Sequence, residues 1–159
     1  MHDVVRMLYY LTGMATERSA VLAYNRLYDG MSELGEEAIA RTVVAPIRRQ
    51  EPGHYAFYRL SATALDARLA PWQRWLVGRL RRISFAPVGA NDAGQKADFG
   101  GVLTSLGIEA ELDQFAADIG RVEHELLWAQ RSGLQVPTYI RDALREAVAL
   151  HHARAAATG

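Results

Sequence analysis

The chain has 159 residues, half of them apolar, enough for one domain with a sizeable core. Acidic and basic residues balance at 18 each, so no global field points to nucleic acid or an anionic lipid surface. With no cysteine, disulfides, thiolate metal sites and cysteine nucleophiles are excluded, and any metal must take carboxylate and imidazole ligands.

No apolar run approaches the roughly 20 residues of a membrane span. The first 20 residues faintly mimic a signal peptide, but Asp3 spoils a basic leader and the apolar spacing continues as a helix would. The expectation is a single domain over 1–159, cytoplasmic, with neither membrane nor nucleic acid as partner. No Gly-x-x-x-x-Gly-Lys-Ser/Thr loop and no Gly-x-Ser-x-Gly elbow occurs, which excludes those nucleotide-binding and hydrolase motifs.

In chain order, the spacing predicts helix A over about 2–29, with Tyr10, Met14, Val21, Tyr24 and Tyr28 on one face. A glycine-bounded turn, DGMSELG, leads to helix B over about 36–69, faced by Ala40, Val44, Ile47, Tyr55, Tyr58, Ala62 and Leu65. Helix B contains Pro52 and Gly53, so it is either one kinked helix or two helices. The unbroken phase of its apolar face favours one. A shorter helix follows, opened by Pro71 in the favoured first position. Its Arg74, Arg79, Arg81 and Arg82, interleaved with Trp72 and Trp75, read as a solvated face.

Residues 86–101, APVGANDAGQKADFGG, read as the one long loop. Helix C is predicted over about 108–131, with Leu112, Phe115, Ile119, Val122 and Leu126 inward. Helix D is predicted over about 137–157, faced by Ile140, Ala143, Leu144, Ala147 and Leu150. There are no strand patterns. Two antiparallel hairpins joined by a crossover over about 70–107 containing a short helix make an all-α, four-helix bundle.

Several acids sit on the apolar faces. Glu17 falls at the centre of helix A's stripe and Glu51 at the centre of helix B's, with His54 one turn on. Carboxylates are almost never buried unless paired or metal-bound. Glu17 and Glu51 lie nearly equally far from the turn around residue 33, so an antiparallel pair brings them to one level. Glu123 and Glu146 lie equally far from the second turn. Glu123 sits within helix C's stripe, where an arginine is the competing partner, and Glu146 lies at the edge of helix D's, where solvation competes.

Glu17 on one helix and Glu51-Pro52-Gly53-His54 on the next resemble half of a ferritin-like di-iron carboxylate site. Those proteins place a Glu on each of two helices and a Glu-x-x-His on each of the other two. The separation of Glu17 and Glu51 is similar to that in rubrerythrin-like hairpins. The resemblance implies a ferritin-like bundle in which Glu123 is the third helix's Glu and Glu146 opens the second motif. Ala149 stands where that motif's His belongs, and His151, two residues on, is the nearest substitute. The implied metal ligands are Glu17, Glu51, His54, Glu123, Glu146 and His151. The implied cofactor is two Fe ions or an Fe/Mn pair reacting with O2 or peroxide, with an unknown small substrate or reductant, in a homodimer. An iron-binding ferroxidase bundle and a metal-free helical scaffold are the alternatives. Tyr24, Tyr55 and Tyr58 flank the site, as packing or as redox and proton-transfer groups.

Overall fold

The computed structural model describes residues 1–127 and 137–158, and over these the chain is all-α. Helix α1 spans His2–Glu33. The chain turns through Gly35, whose φ of 81° is left-handed and suits glycine. It then enters one continuous helical arm: α2 (Glu37–Ile39), a π-helical turn (Ala40–Val44) and α3 (Ala45–Asp66). The π turn was not legible beforehand, but it has a local cause. Pro46 has no N–H to give the Thr42 carbonyl, and the turn widens so that the Ala45 N–H reaches Ala40 instead.

Helix α3 runs through Pro52 as a single helix, which excludes the two-helix reading. It packs along α1 as an antiparallel hairpin. Helix α4 (Pro71–Ser84) begins at Pro71 as expected, tied back to the end of α3 by Arg74, which donates from Nε to an Asp66 carboxylate oxygen at 2.9 Å.

The expected loop over 86–101 is a correction. After a 3-10 turn at Pro87–Gly89, residues Ala93–Ser105 form helix α5. Asp92 caps it, accepting from the Gln95 N–H at 2.8 Å, while the Gln95 side chain accepts from the Asn91 N–H at 2.9 Å. The glycines that suggested a loop serve close helix packing. A Cβ on Gly100 would lie 2.1 Å from the Ala147 carbonyl oxygen, and one on Gly101 would lie 2.9 Å from Nδ1 of His151.

A 3-10 turn at Ile108–Glu111 leads into α6 (Leu112–Leu127), and α7 spans Thr138–Thr158. The end of helix C expected at 131 lies outside the described residues. Helix α7 packs on α6, as a second hairpin should, but more extensively on α5. The connection expected to hold one short helix therefore contributes two packed ones.

The core has two clusters, both touching α1. Val4, Met7, Leu11 and Met14 of α1 join Ala62, Leu65, Val77 and Val122. Ala15 joins Leu103, Phe115, Ile119, Ile140 and Leu144. The deepest face of α1 is thus its Val/Met/Leu stripe. The tyrosine-bearing stripe that looked like the core face lies one side round, towards α3. Among the described residues no helix is long and apolar enough to cross a membrane.

Candidate metal centre

The tyrosine stripe sets where Glu17 points. Along the α1/α3 seam Gly13 meets the Tyr58 ring, Glu17 meets His54, and Arg48 lies 4.6 Å from the centre of the Tyr28 ring. Glu51 and His54, one turn apart on α3, face the same seam. His54 Nδ1 lies 3.8 Å from Oε2 of Glu17 and 3.6 Å from Oε2 of Glu51. One donor atom from each of the three residues falls within 4.8 Å of the other two. Ligands about 2.1 Å from one ion stand at most about 4.2 Å apart, so small side-chain adjustments bring all three onto a single cation.

The two carboxylates are largely covered, with side-chain exposures of 19% for Glu17 and 14% for Glu51, whereas the His54 side chain is 59% exposed. Burial, followed by a hydrogen bond and repulsion from Glu51, pushes the Glu17 carboxyl from an ordinary 4.5 up to about 7, against a smaller opposing pull from His54. Among the described residues no Lys or Arg forms an ion pair with Glu17 or Glu51. The nearby cations are used elsewhere. Arg18 and Arg48 lie over the rings of Tyr55 and Tyr28. Two covered acids, one of them pushed up to about 7 and neither ion-paired to a Lys or Arg among the described residues, are chemically suited to a divalent cation.

Tyr58, one turn beyond His54, lies against Gly13, where a Cβ would come within 2.4 Å of its ring. Its hydroxyl is 3.3 Å from that of Tyr9. That hydrogen bond, with burial and the nearby Glu17, raises the Tyr58 phenol above its usual range. Helical spacing alone did not single out Gly13 or Tyr9, although a glycine in mid-helix opposite an aromatic is a signal that was present.

The other expected ligands are not brought to this cluster. Glu123 is fully buried, but it accepts from Arg81 Nε at 2.8 Å and from the Tyr139 hydroxyl. Arg81, itself buried, also donates to Thr12 Oγ1 at 3.0 Å and to the Leu11 carbonyl at 3.2 Å. A guanidinium thus fills the cationic role expected of a metal at Glu123. Arg81 was read as part of a solvated face, yet it lies one turn beyond the buried Val77 on α4, and that spacing marks it as inward.

Glu146 is half-exposed and pairs with Lys96 at 2.9 Å. His151 packs over Gly101, with its Nδ1 buried and lacking a hydrogen-bond partner. His152 bonds Glu109 at 2.9 Å. Among the described residues, Glu17, Glu51 and His54 form the only group of three or more such side chains close enough to hold a metal ion.

No known protein family, characterised protein or solved structure matches this chain.

Proposed function

We propose that the α1/α3 seam binds a divalent transition-metal ion, iron or manganese, and that the protein is a non-haem oxidoreductase of the ferritin-like di-iron type acting with O2 or peroxide. The observation that carries this reading is the convergence of Glu17, Glu51 and His54 from two helices with no arginine or lysine paired to them among the described residues. Two carboxylates and one imidazole neutralise a divalent ion and suit iron or manganese better than soft metals. An ion held by Glu17, Glu51 and His54 would supply redox chemistry with O2 or peroxide.

The chain's own part is definable. The Glu17 carboxyl, pushed up to about 7, carries a proton part of the time near neutrality, and a bound ion would displace it. His54 offers its imidazole from the solvent edge. Tyr58 and Tyr9 form a hydrogen-bonded pair that leads from the seam to the exposed Tyr9.

The test is metal quantification on anaerobically handled protein incubated with Fe(II) or Mn(II), with an absorption spectrum before and after O2. The wild-type chain should retain metal through desalting, and the Glu51→Ala variant should not. Equal retention by the two would reject this ligand set. The competing metal-free scaffold draws support from the other half of the molecule, where a guanidinium, that of Arg81, neutralises the buried Glu123.

A further inference from the structure

We propose that the outer face of α4 is a peripheral docking surface for an anionic lipid bilayer. The inference is independent of the metal reading. From residue 67 to residue 91 the chain carries five arginines, Arg68, Arg74, Arg79, Arg81 and Arg82, and no Asp or Glu. A chain whose charges balance overall thus gathers positive charge in one segment.

The structure sorts these arginines. Arg81 is buried against Glu123 and Arg74 is paired with Asp66, so neither offers charge to a partner. Arg68, Arg79 and Arg82 are exposed, and among the described residues Arg68 and Arg79 form no ion pair. At about 100° per residue, Trp72, Trp75, Arg79, Arg82 and Ile83 share roughly one third of the helix circumference, opposite the buried Val77 and Arg81. Trp72 is 55% exposed, Trp75 59% and Ile83 82%. Arg79 lies 6.0 Å from the centre of the Trp75 ring, so a cation and an indole already share this face.

Charge and composition together favour a lipid surface over a nucleic acid. Strong duplex binding draws on about 6–10 phosphate contacts, more than the exposed arginines of this face supply. Ile83 has no ring to stack on a base. A bilayer interface suits every member of the stripe. Indoles settle at the headgroup level, an aliphatic side chain gains by leaving water, and guanidinium groups reach lipid phosphates while their stems lie along apolar surface. Among the described residues no helix is long and apolar enough to cross a membrane, and docking through α4 requires none.

The test adds the full chain to vesicles of phosphatidylglycerol and phosphatidylcholine, and to vesicles of phosphatidylcholine alone. Wild type should sediment with the anionic vesicles and be released by salt. Its tryptophan emission should move to shorter wavelength as the indoles leave water. Arg79→Glu reverses one charge and should weaken vesicle binding by about tenfold or more. The double variant Trp72→Ala, Trp75→Ala should lose the emission shift. All three residues are exposed, so both variants should keep the wild-type helical circular-dichroism spectrum. Arg49→Glu, the same charge reversal at an exposed position of α3, should bind nearly as wild type does. An equal loss in Arg49→Glu and Arg79→Glu would overturn the proposal, because net charge and not this face would then set binding. An emission shift that survives the double tryptophan variant would overturn it as well, by placing another segment on the lipid. So would equal binding to phosphatidylcholine alone, or no binding to either vesicle. Binding of a single-stranded oligonucleotide that Arg79→Glu abolishes, with vesicles left unbound, would assign the face to nucleic acid instead.

Discussion

Two clusters of acids, one at Glu17 and Glu51 and one at Glu123, look alike as patterns on helical faces but solve the burial of charge in opposite ways. Glu123 is completely enclosed, and the chain brings its own cation: Arg81 reaches in from α4 and spends its other donors on Leu11 and Thr12 of α1. Glu17 and Glu51 lie in a shallower seam and have each other as nearest charged neighbours along with His54, and the Glu17 carboxyl is pushed up to about 7. An acid on an apolar stripe is open to a metal only where no arginine already pairs with it, and among the described residues that condition separates Glu17 and Glu51 from Glu123.

The comparison breaks most visibly at Arg81. Arg81→Leu leaves a buried, uncompensated carboxylate and should cost about 3–5 kcal/mol in urea unfolding. Adding Glu123→Leu removes that carboxylate and should restore much of the loss. If the single and double variants were equally unstable, the ion pair would not be what holds α4 against α1 and α6. Metal retention should be unchanged in the double variant, since neither residue touches Glu17, Glu51 or His54.

The next effect in size is steric. Gly100→Ala sets a methyl against the Ala147 backbone, which cannot move aside as a flexible side chain can. A loss of about 1–3 kcal/mol is expected from separating α5 and α7. Its neighbour Gly101 meets a side chain, the His151 ring, so Gly101→Ala should be milder. Equal effects would mean that the backbone contact at Gly100 does not set the spacing of α5 and α7.

These glycines also mark where the sequence was hard to read. The α1/α3 hairpin and the convergence of Glu17, Glu51 and His54 were legible, because they depend on helical phase and on distance from a turn. Helix α5 was hidden because Gly100 and Gly101 carry the same letter whether they relax a loop or let two helices touch. The cap at Asp92, with Gln95 three residues on, was the overlooked sign. Arg81 was misplaced because arginine is so often solvated, and only its phase with Val77 marks it as inward. The tyrosine stripe of α1 reads as the core side, since aromatic residues dominate any periodicity count. The deeper face is carried by the less conspicuous Val4, Met7 and Leu11.

A subtler contrast lies in the response to pH. The Glu17 carboxyl is raised from 4.5 to about 7 in the folded chain, so the metal-free fold holds a proton that the unfolded chain releases earlier. Below about pH 4.5 Glu17 is protonated in both states and contributes nothing to the slope. Between 4.5 and 7 the folded state binds more protons, and stability should fall as pH rises through that window. Glu17→Gln should flatten that part of the profile. Metal binding runs the other way, since the ion competes with the proton: through Glu17 the apparent affinity should rise about tenfold per pH unit until about pH 7. A metal affinity that did not change below neutrality would remove Glu17 from the ligand set.

The smallest expected effect settles what remains of the second motif. Glu146 was expected to be the counterpart of Glu51, yet it lies at the surface against Lys96, with side-chain exposures of 52% and 26%. Exposed ion pairs of this kind contribute about 0–1 kcal/mol and are screened by salt. Glu146→Gln should therefore shift the unfolding midpoint barely, and less at high salt. It should leave metal retention equal to wild type, whereas Glu51→Ala loses it. Both are glutamates within helices, so the contrast isolates the environment from the residue type. If Glu146→Gln lost metal as Glu51→Ala does, the Lys96 pairing would be incidental, and α7 would have to reach the seam in the metal-bound protein.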